Sequence, residues 1–437
     1  MTLVSIAWKS IKQRSVSSSL TALSVALGVM LMVSVMVING VVSDLFSQPS
    51  FGFNLVVGPK GSDLSLALSA IYRLDRPSEP LPYVYFKELQ KHKAVEKAVP
   101  IAIGDVTEIG FFPIVGTVPE YFELGYAYDK PYQVRGDFLQ KPLDAVIGSR
   151  VARINGWDIG SEFKLTHGGA EGDHQHDEKF RVVGVLAATG TPNDRTVFVS
   201  ISGFWAIAEH GKPLHEALDR LEKFRFPVSD ELKVEAERRK KRKPGHFHDK
   251  MYDEQKEVTA ILVKTKGESG ASAIGLAGGI NEDVRAMAIN PVRAMSRLMS
   301  SIVNNINLAL MVLTSMIIVV SGIGIFVSIY NSMQDRRREI GIMRALGARR
   351  ETVFAIILAE SALLCLAGGV VGLLLGHGLV AIVSPIIERR ADILVSPMAF
   401  EPLEFVLFPI LLLIGSLIGF LPGMAAYRTD VASALSE

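Results

Sequence analysis

The sequence predicts a membrane protein with four transmembrane α-helices and a large extracytoplasmic α+β domain inserted between helices 1 and 2. Three observations predict it. Four apolar runs, Ser19 to Val42, Leu308 to Met333, Val353 to Val383 and Phe405 to Ala426, are long enough at about 1.5 Å per helical residue to cross a hydrocarbon layer of roughly 30 Å. Basic residues gather beside these runs: Lys9, Lys12 and Arg14 before the first, Arg336, Arg337, Arg338, Arg344, Arg349 and Arg350 between the second and third, and Arg428 after the fourth. Segments rich in Lys and Arg stay cytoplasmic, so the stretch between the first two runs falls on the outer side. That stretch has the Gly- and Pro-punctuated, β-rich pattern of a folded domain.

Residues 1–18 read as a cytoplasmic helix on the membrane surface, with Leu3, Ile6, Ala7, Trp8 and Ile11 near one face and the basic residues toward lipid phosphates. The span 19–42 is longer than the roughly 7–15 apolar residues of a cleaved signal and starts later, so it is expected to be retained. Residues 43–302 form the outer domain. Its strands are expected in KAVPIAIGDVTEIGFFPIVGTVP, LDAVIGSRVARINGWDIGSEFKLTH and FRVVGVLAATGTPNDRTVFVSI, with helices at Val84 to His92 and Ile201 to His210. A change of composition near Gly211 announces a second lobe or a helical insertion before EVTAILVKT returns as one strand. Ala271 to Asn290 and Pro291 to Ser300 read as helical. Asn304, Asn305 and Asn307 are too polar for hydrocarbon, which makes 303–334 a stalk continued by the second span. A cytoplasmic connection (335–352), the third span (353–384), a short outer loop (385–403), the fourth span (404–427) and a cytoplasmic tail (428–437) complete the chain. This is the layout of a multi-pass protein of a bacterial inner membrane with its large domain on the periplasmic side.

Other classes fall away. The net charge of +1 over 437 residues says little about partners; the basic run Arg238 to Arg242 reads as solvated, because it falls on the outer side, where no nucleic-acid partner is expected. The single cysteine, Cys365, lies in the third span, so the outer domain relies on its own core rather than a disulfide. No phosphate loop is present; the nearest string, Gly58 to Ser62, lacks both the spacing and the Gly-Lys pair. Without a nucleophile signature or a zinc-protease helix either, the chain is expected to be no enzyme and to bind no cofactor itself.

The most specific segment is DRRREIGIMRALGARRETVFAIILAES, from Asp335 to Ser361. It sets small residues Gly341, Ala345 and Gly347 beside Ile340, Met343 and Leu346 within a frame of arginines, a compact surface for a soluble partner. The arginines alone also serve simply to fix topology. With the later CLAGGVVGLLLG and the closing LPGMAAYRTDVASALSE, this segment resembles the permease half of the MacB, FtsX and LolC/LolE superfamily of ABC transporters. VIGSRVARINGWDIGSEFKL and RVVGVLAATG resemble its periplasmic strands more loosely.

The resemblance implies that Glu339, Ile340, Gly341, Met343, Arg344, Ala345, Leu346 and Gly347 dock on a separate ATPase subunit, which holds the ATP and magnesium. It further implies a second permease subunit, identical or not, and a periplasmic adaptor or substrate-binding protein. The function implied is mechanotransmission that exports or extracts a peptide, lipoprotein or other amphiphile. The alternatives are an FtsX-like scaffold that activates a cell-wall hydrolase and a component of a metal-handling system.

Two glycine series, Gly368, Gly372 and Gly376 on span three and Gly415, Gly419 and Gly423 on span four, offer smooth faces for close helix contact, within the subunit or at a dimer seam. Glu360 and His377 lie toward opposite ends of span three and are assigned packing roles. His167, His174 and His176, with Asp173, Asp177 and Glu178, make one histidine-containing loop, and His246 and His248 with Asp249 make another. No four-ligand spacing is visible, so no metal site is expected; His174, His176, His246 and His248 are the candidates should one exist.

Overall fold

The computed structural model describes residues 3–428 except 14, 47–50, 75–78, 128, 168–174, 208–209, 241–250, 268–269, 299, 302–303, 336, 392–397, 399 and 401. The chain divides into two compact units, residues 1–45 with 299–437, and residues 46–298.

The first unit is helical: α1 (Leu3–Gln13), α2 (Ser15–Phe46), α3 (Asn304–Asp335), α4 (Arg337–Ala345), α5 (Arg350–Ala391) and α6 (Pro402–Tyr427). Among the described residues, 4 helices are long and apolar enough to cross a membrane, over Ser18–Val41, Asn304–Asn331, Arg350–Ile387 and Glu404–Tyr427. Apolar side chains lie both inside and outside this bundle. Val25, Val29, Val33, Ile325, Cys365 and Leu411 are buried, yet Leu308, Val320, Leu374, Ile382, Leu413 and Leu417 are bare. A helix set that is apolar all round belongs in lipid. Two serines tie helices through backbone acceptors, as lipid-embedded polar groups must: Ser321 Oγ donates to the Ser24 carbonyl at 3.0 Å and Ser34 Oγ to that of Gly376 at 3.3 Å. α5 continues through Pro385 to Ala391, into the stretch expected as loop.

The second unit is built on a mixed sheet. Its strands are β1 (Leu55–Gly58), β3 (Val95–Thr107), β4 (Pro113–Thr117), β5 (Val134–Gly136), β6 (Asp144–Ile147), β7 (Glu162–His167), β8 (Gln175–Leu186), β9 (Val197–Ser200), β11 (Ala260–Thr265) and β12 (Met287–Ile289), while β2 (Leu81–Pro82) and β10 (Glu257–Val258) form a separate pair. The order is β12-β1-β11-β3-β4-β9-β6-β8-β5, with β7 bridging β3 and β8. The β4/β9 and β6/β8 pairs are parallel and the rest antiparallel.

Alternate residues feed two cores. Ile261, Val263, Val197, Val199 and Ile114 join one, and Ala260, Leu262, Phe198 and Val115 the other. Both faces are therefore covered, which is why these strands read as continuous apolar runs rather than as alternating ones. The stretch after Gly211 is a helical insertion, Leu214–Lys223 and Asp230–Lys240, and Arg220 fastens it by pairing with Glu257. The segment read as one helix from Ala271 to Asn290 is a helix (Ala271–Glu282) followed by β12. A three-residue edge strand is too short to show a period, and pairing with β1 overrides local propensity.

The short helix Ile201–Ala206 packs so closely that a Cβ at Gly203 would lie 1.7 Å from the Pro142 carbonyl oxygen. Gly203→Ala is expected to destabilise this unit by about 1–3 kcal/mol, the usual cost of overpacking. Thermal unfolding of the purified chain should show the loss, and an unchanged midpoint would contradict the packing.

Candidate functional site

The connection between α3 and α5 is a capped turn. The helix α4 ends in paired reverse hydrogen bonds, from Gly347 N–H to the Arg344 carbonyl (3.0 Å) and from Ala348 N–H to that of Met343 (3.0 Å). This Schellman closure requires a left-handed residue, and Gly347 supplies it at φ +102. Ile340 and Gly341 are buried, and Ile340 joins the cluster that includes Val353 and Ile357. Met343 and Arg344 are half-buried and Ala345 is exposed. Leu346, at the turn itself, is 83% exposed between arginines. Glu339 belongs to α4, but its side chain lies outside the described residues.

The glycine series face neighbouring helices of the same chain. A Cβ at Gly368 would meet the Ala22 carbonyl oxygen at 2.8 Å, at Gly372 that of Ala26 at 2.6 Å, and at Gly376 Cβ of Val33 at 2.9 Å, all on α2. Those at Gly415, Gly419 and Gly423 would meet Ala362 at 3.0 Å, Ser361 Oγ at 2.0 Å and Phe354 at 2.9 Å, on α5. Glu360 is buried in α5, and His377 Nε2 lies 3.0 Å from Glu404 Oε2 on α6.

The sheet unit holds a cluster that no local stretch of sequence announces: Asp105, His167, His176 and His210, whose ligand-type atoms all lie within 4.8 Å of one another. Strand register assembles it. Asp105 on β3 pairs directly with His167 on β7, and Thr166 with Gln175 on β8, so His176 projects from the same face of the β7/β8 pair as His167. His210 comes from the turn after the helix Ile201–Ala206 and is held there by Nδ1–H, which donates to the Phe204 carbonyl at 2.8 Å.

Asp105 is the hub. His167 Nδ1 lies 2.5 Å from its Oδ1, His210 Nε2 3.0 Å from its Oδ2 and His176 Nε2 4.0 Å from the same oxygen. Asp105 and His176 are buried, at 2% and 3% exposure, whereas the His167 side chain at 36% reaches solvent. Burial pushes the Asp105 carboxyl up, but the close approach of His167 and His210 outweighs it and holds the group at about 2. Burial and then the His210 ring hold His176 below the ordinary histidine range, so that it is neutral at pH 7.

Of the histidines singled out as ligand candidates, the structure brings only His176 into this cluster; His174, His246 and His248 lie outside the described residues. Asp105 and His210 escaped sequence reasoning because they are far apart along the chain. The available signal was a lone carboxylate in the apolar run of β3, IAIGDV.

Residues 311–431 match the FtsX-like permease C-terminal domain and residues 18–228 the MacB-like periplasmic core domain. The macrolide export ATP-binding/permease protein MacB of Bordetella avium is 38% identical over 132 residues, 29% of this chain and 20% of that protein. Its counterpart in Agrobacterium fabrum is 34% identical over 124 residues, 28% and 18% respectively. The match thus spans about 20% of the length of such relatives. The crystal structure of the periplasmic region of MacB from Actinobacillus actinomycetemcomitans aligns with a TM-score of 0.32 and 12% identity, over 57% of this chain and 94% of that one. The chain thus carries a MacB-like periplasmic core domain followed by an FtsX-like permease C-terminal domain, the pairing of a MacB/FtsX-type permease.

Proposed function

We propose that the chain is the permease subunit of an ABC transporter that works by mechanotransmission in a bacterial inner membrane. Two permease subunits sit on nucleotide-binding subunits carried by separate chains, with the sheet units on the periplasmic side. ATP-driven closure pushes the α4 turn, and the movement passes through α3 to the sheet unit, which expels or extracts a peptide, lipoprotein or other amphiphile with the help of a periplasmic adaptor.

The observation that supports this reading best is the capped turn at Gly347. It holds the bare Leu346 beside Arg344, Arg349 and Arg350 at the end of a nine-residue helix, in the segment whose arginines favour the cytoplasm. A rigid apolar knob inside a polar rim is the arrangement that anchors a protein partner. The same helix feeds directly into α5, so force applied at the knob reaches the bundle.

The test is a distance measurement between spin labels on the two sheet units of the purified complex, nucleotide-free and trapped with a transition-state analogue. The distribution should shift between states. An identical distribution in both, with ATPase activity intact, would refute mechanotransmission.

A further inference from the structure

We infer that Asp105, His167, His176 and His210 form a binding site for a zinc-class divalent transition-metal ion. The donor set decides the class. Three imidazoles and one carboxylate suit Zn²⁺ and its neighbours, whereas Ca²⁺ and Mg²⁺ require mostly oxygen donors in larger number. A tetrahedral ion with bonds of about 2.0–2.2 Å needs donor atoms roughly 3.4 Å apart. The four ligand atoms lie within 4.8 Å of one another, so side-chain rotation closes the shell without moving a strand.

Proton placement at His210 points the same way. Its Nδ1 faces the Phe204 carbonyl at 2.8 Å, and a carbonyl only accepts, so Nδ1 holds the proton. The ring's other nitrogen, Nε2, is the atom turned toward the cluster, 3.0 Å from Asp105 Oδ2. Both atoms are sealed from solvent, and the angle between them does not make a hydrogen bond. A cation bound between Nε2 and Oδ2 gives both buried atoms a partner. The carbonyl contact is also the outer-shell support that fixes the tautomer of a metal-bound imidazole.

The setting agrees with a bound ion rather than a surface accident. Three donors stand on the adjacent strands β3, β7 and β8, and the partly exposed His167 provides the way in. The fourth donor follows the helix Ile201–Ala206 and precedes the insertion that begins at Leu214. An ion here would clamp that connection to the sheet. The site belongs wholly to the sheet unit and stands independently of the transport reading, which rests on the membrane unit.

The test uses the full chain purified in detergent, stripped with a chelator and titrated with Zn²⁺ against a chromophoric competitor. One tightly bound Zn²⁺ per chain is expected, undisturbed by excess Ca²⁺ or Mg²⁺, and Co²⁺ in its place should give the intense visible bands of four-coordinate cobalt. His167→Ala and the near-isosteric Asp105→Asn, neither of which empties the core, should each weaken binding by about 100-fold or more, at least the loss seen for outer-shell changes. The triple variant His174→Ala, His246→Ala, His248→Ala should retain the tight event. Absence of tight binding, binding that survives both single substitutions, or its loss in the triple variant would each overturn the assignment.

Discussion

Replacing Gly372 with leucine is expected to leave the chain without a stably folded membrane unit. Gly372 lies on α5 where α2 crosses, and even a methyl group there would stand 2.6 Å from both the Ala26 carbonyl oxygen and Cβ of Val29. Both obstacles are backbone or backbone-proximal, so no rotamer change clears them. Ordinary overpacking costs about 1–3 kcal/mol, and a leucine against a neighbouring backbone reaches the top of that range or passes it. In lipid no general hydrophobic force holds helices together, so close backbone approach supplies much of the association. Gly378, two residues further along from Gly376, is the internal control, because a Cβ there would meet nothing within 4 Å. Gly378→Leu should behave as wild type in detergent extraction, size-exclusion profile and protease resistance, and Gly372→Leu should fail in all three. Equal behaviour of the two variants would contradict the seam between α2 and α5.

Leu346→Asp is expected to abolish productive association with a nucleotide-binding subunit while leaving membrane insertion intact. The side chain is 83% exposed and adds little to the packing of its own chain. If it is the anchor of a docking surface, its replacement by a charge has the cost of a binding hot spot, about 2 kcal/mol or more, which is roughly 30-fold in Kd. Copurification with the ATPase and stimulation of its activity are the readouts. Gly347→Val acts on the same surface indirectly, since a β-branched residue at φ +102 is strained and undoes the closure that positions Leu346. Normal copurification of Leu346→Asp would remove the turn from the interface.

The parts of this molecule that were legible in its sequence are those with local causes. The four apolar helices follow from run length alone, and the short connection between α3 and α5 from the arginines that separate two apolar runs. The helix ends were less legible. α5 continues past Pro385, because a proline removes one backbone donor without ending a long apolar helix that its neighbours support. The helical pattern Ala271 to Asn290 contains β12, whose three residues become a strand only because β1 offers an edge. The histidine cluster was hidden for a related reason. His176 follows His167 closely in the sequence, but Asp105 reaches them through cross-strand register and His210 through the docking of a helix. Ligand spacing along the chain shows a metal site only where one local motif supplies all the donors.

Under the proposed function the α4 turn grips a motor protein on the cytoplasmic side, and cross-linking in intact cells probes that contact itself. A photoreactive amino acid placed at Leu346 should yield one dominant adduct, with an ABC nucleotide-binding subunit, whereas the same group at the exposed Leu374, within the apolar length of α5, should not. Adducts confined to lipid, or reaction of residue 346 with an impermeant reagent added outside the cell, would contradict the account.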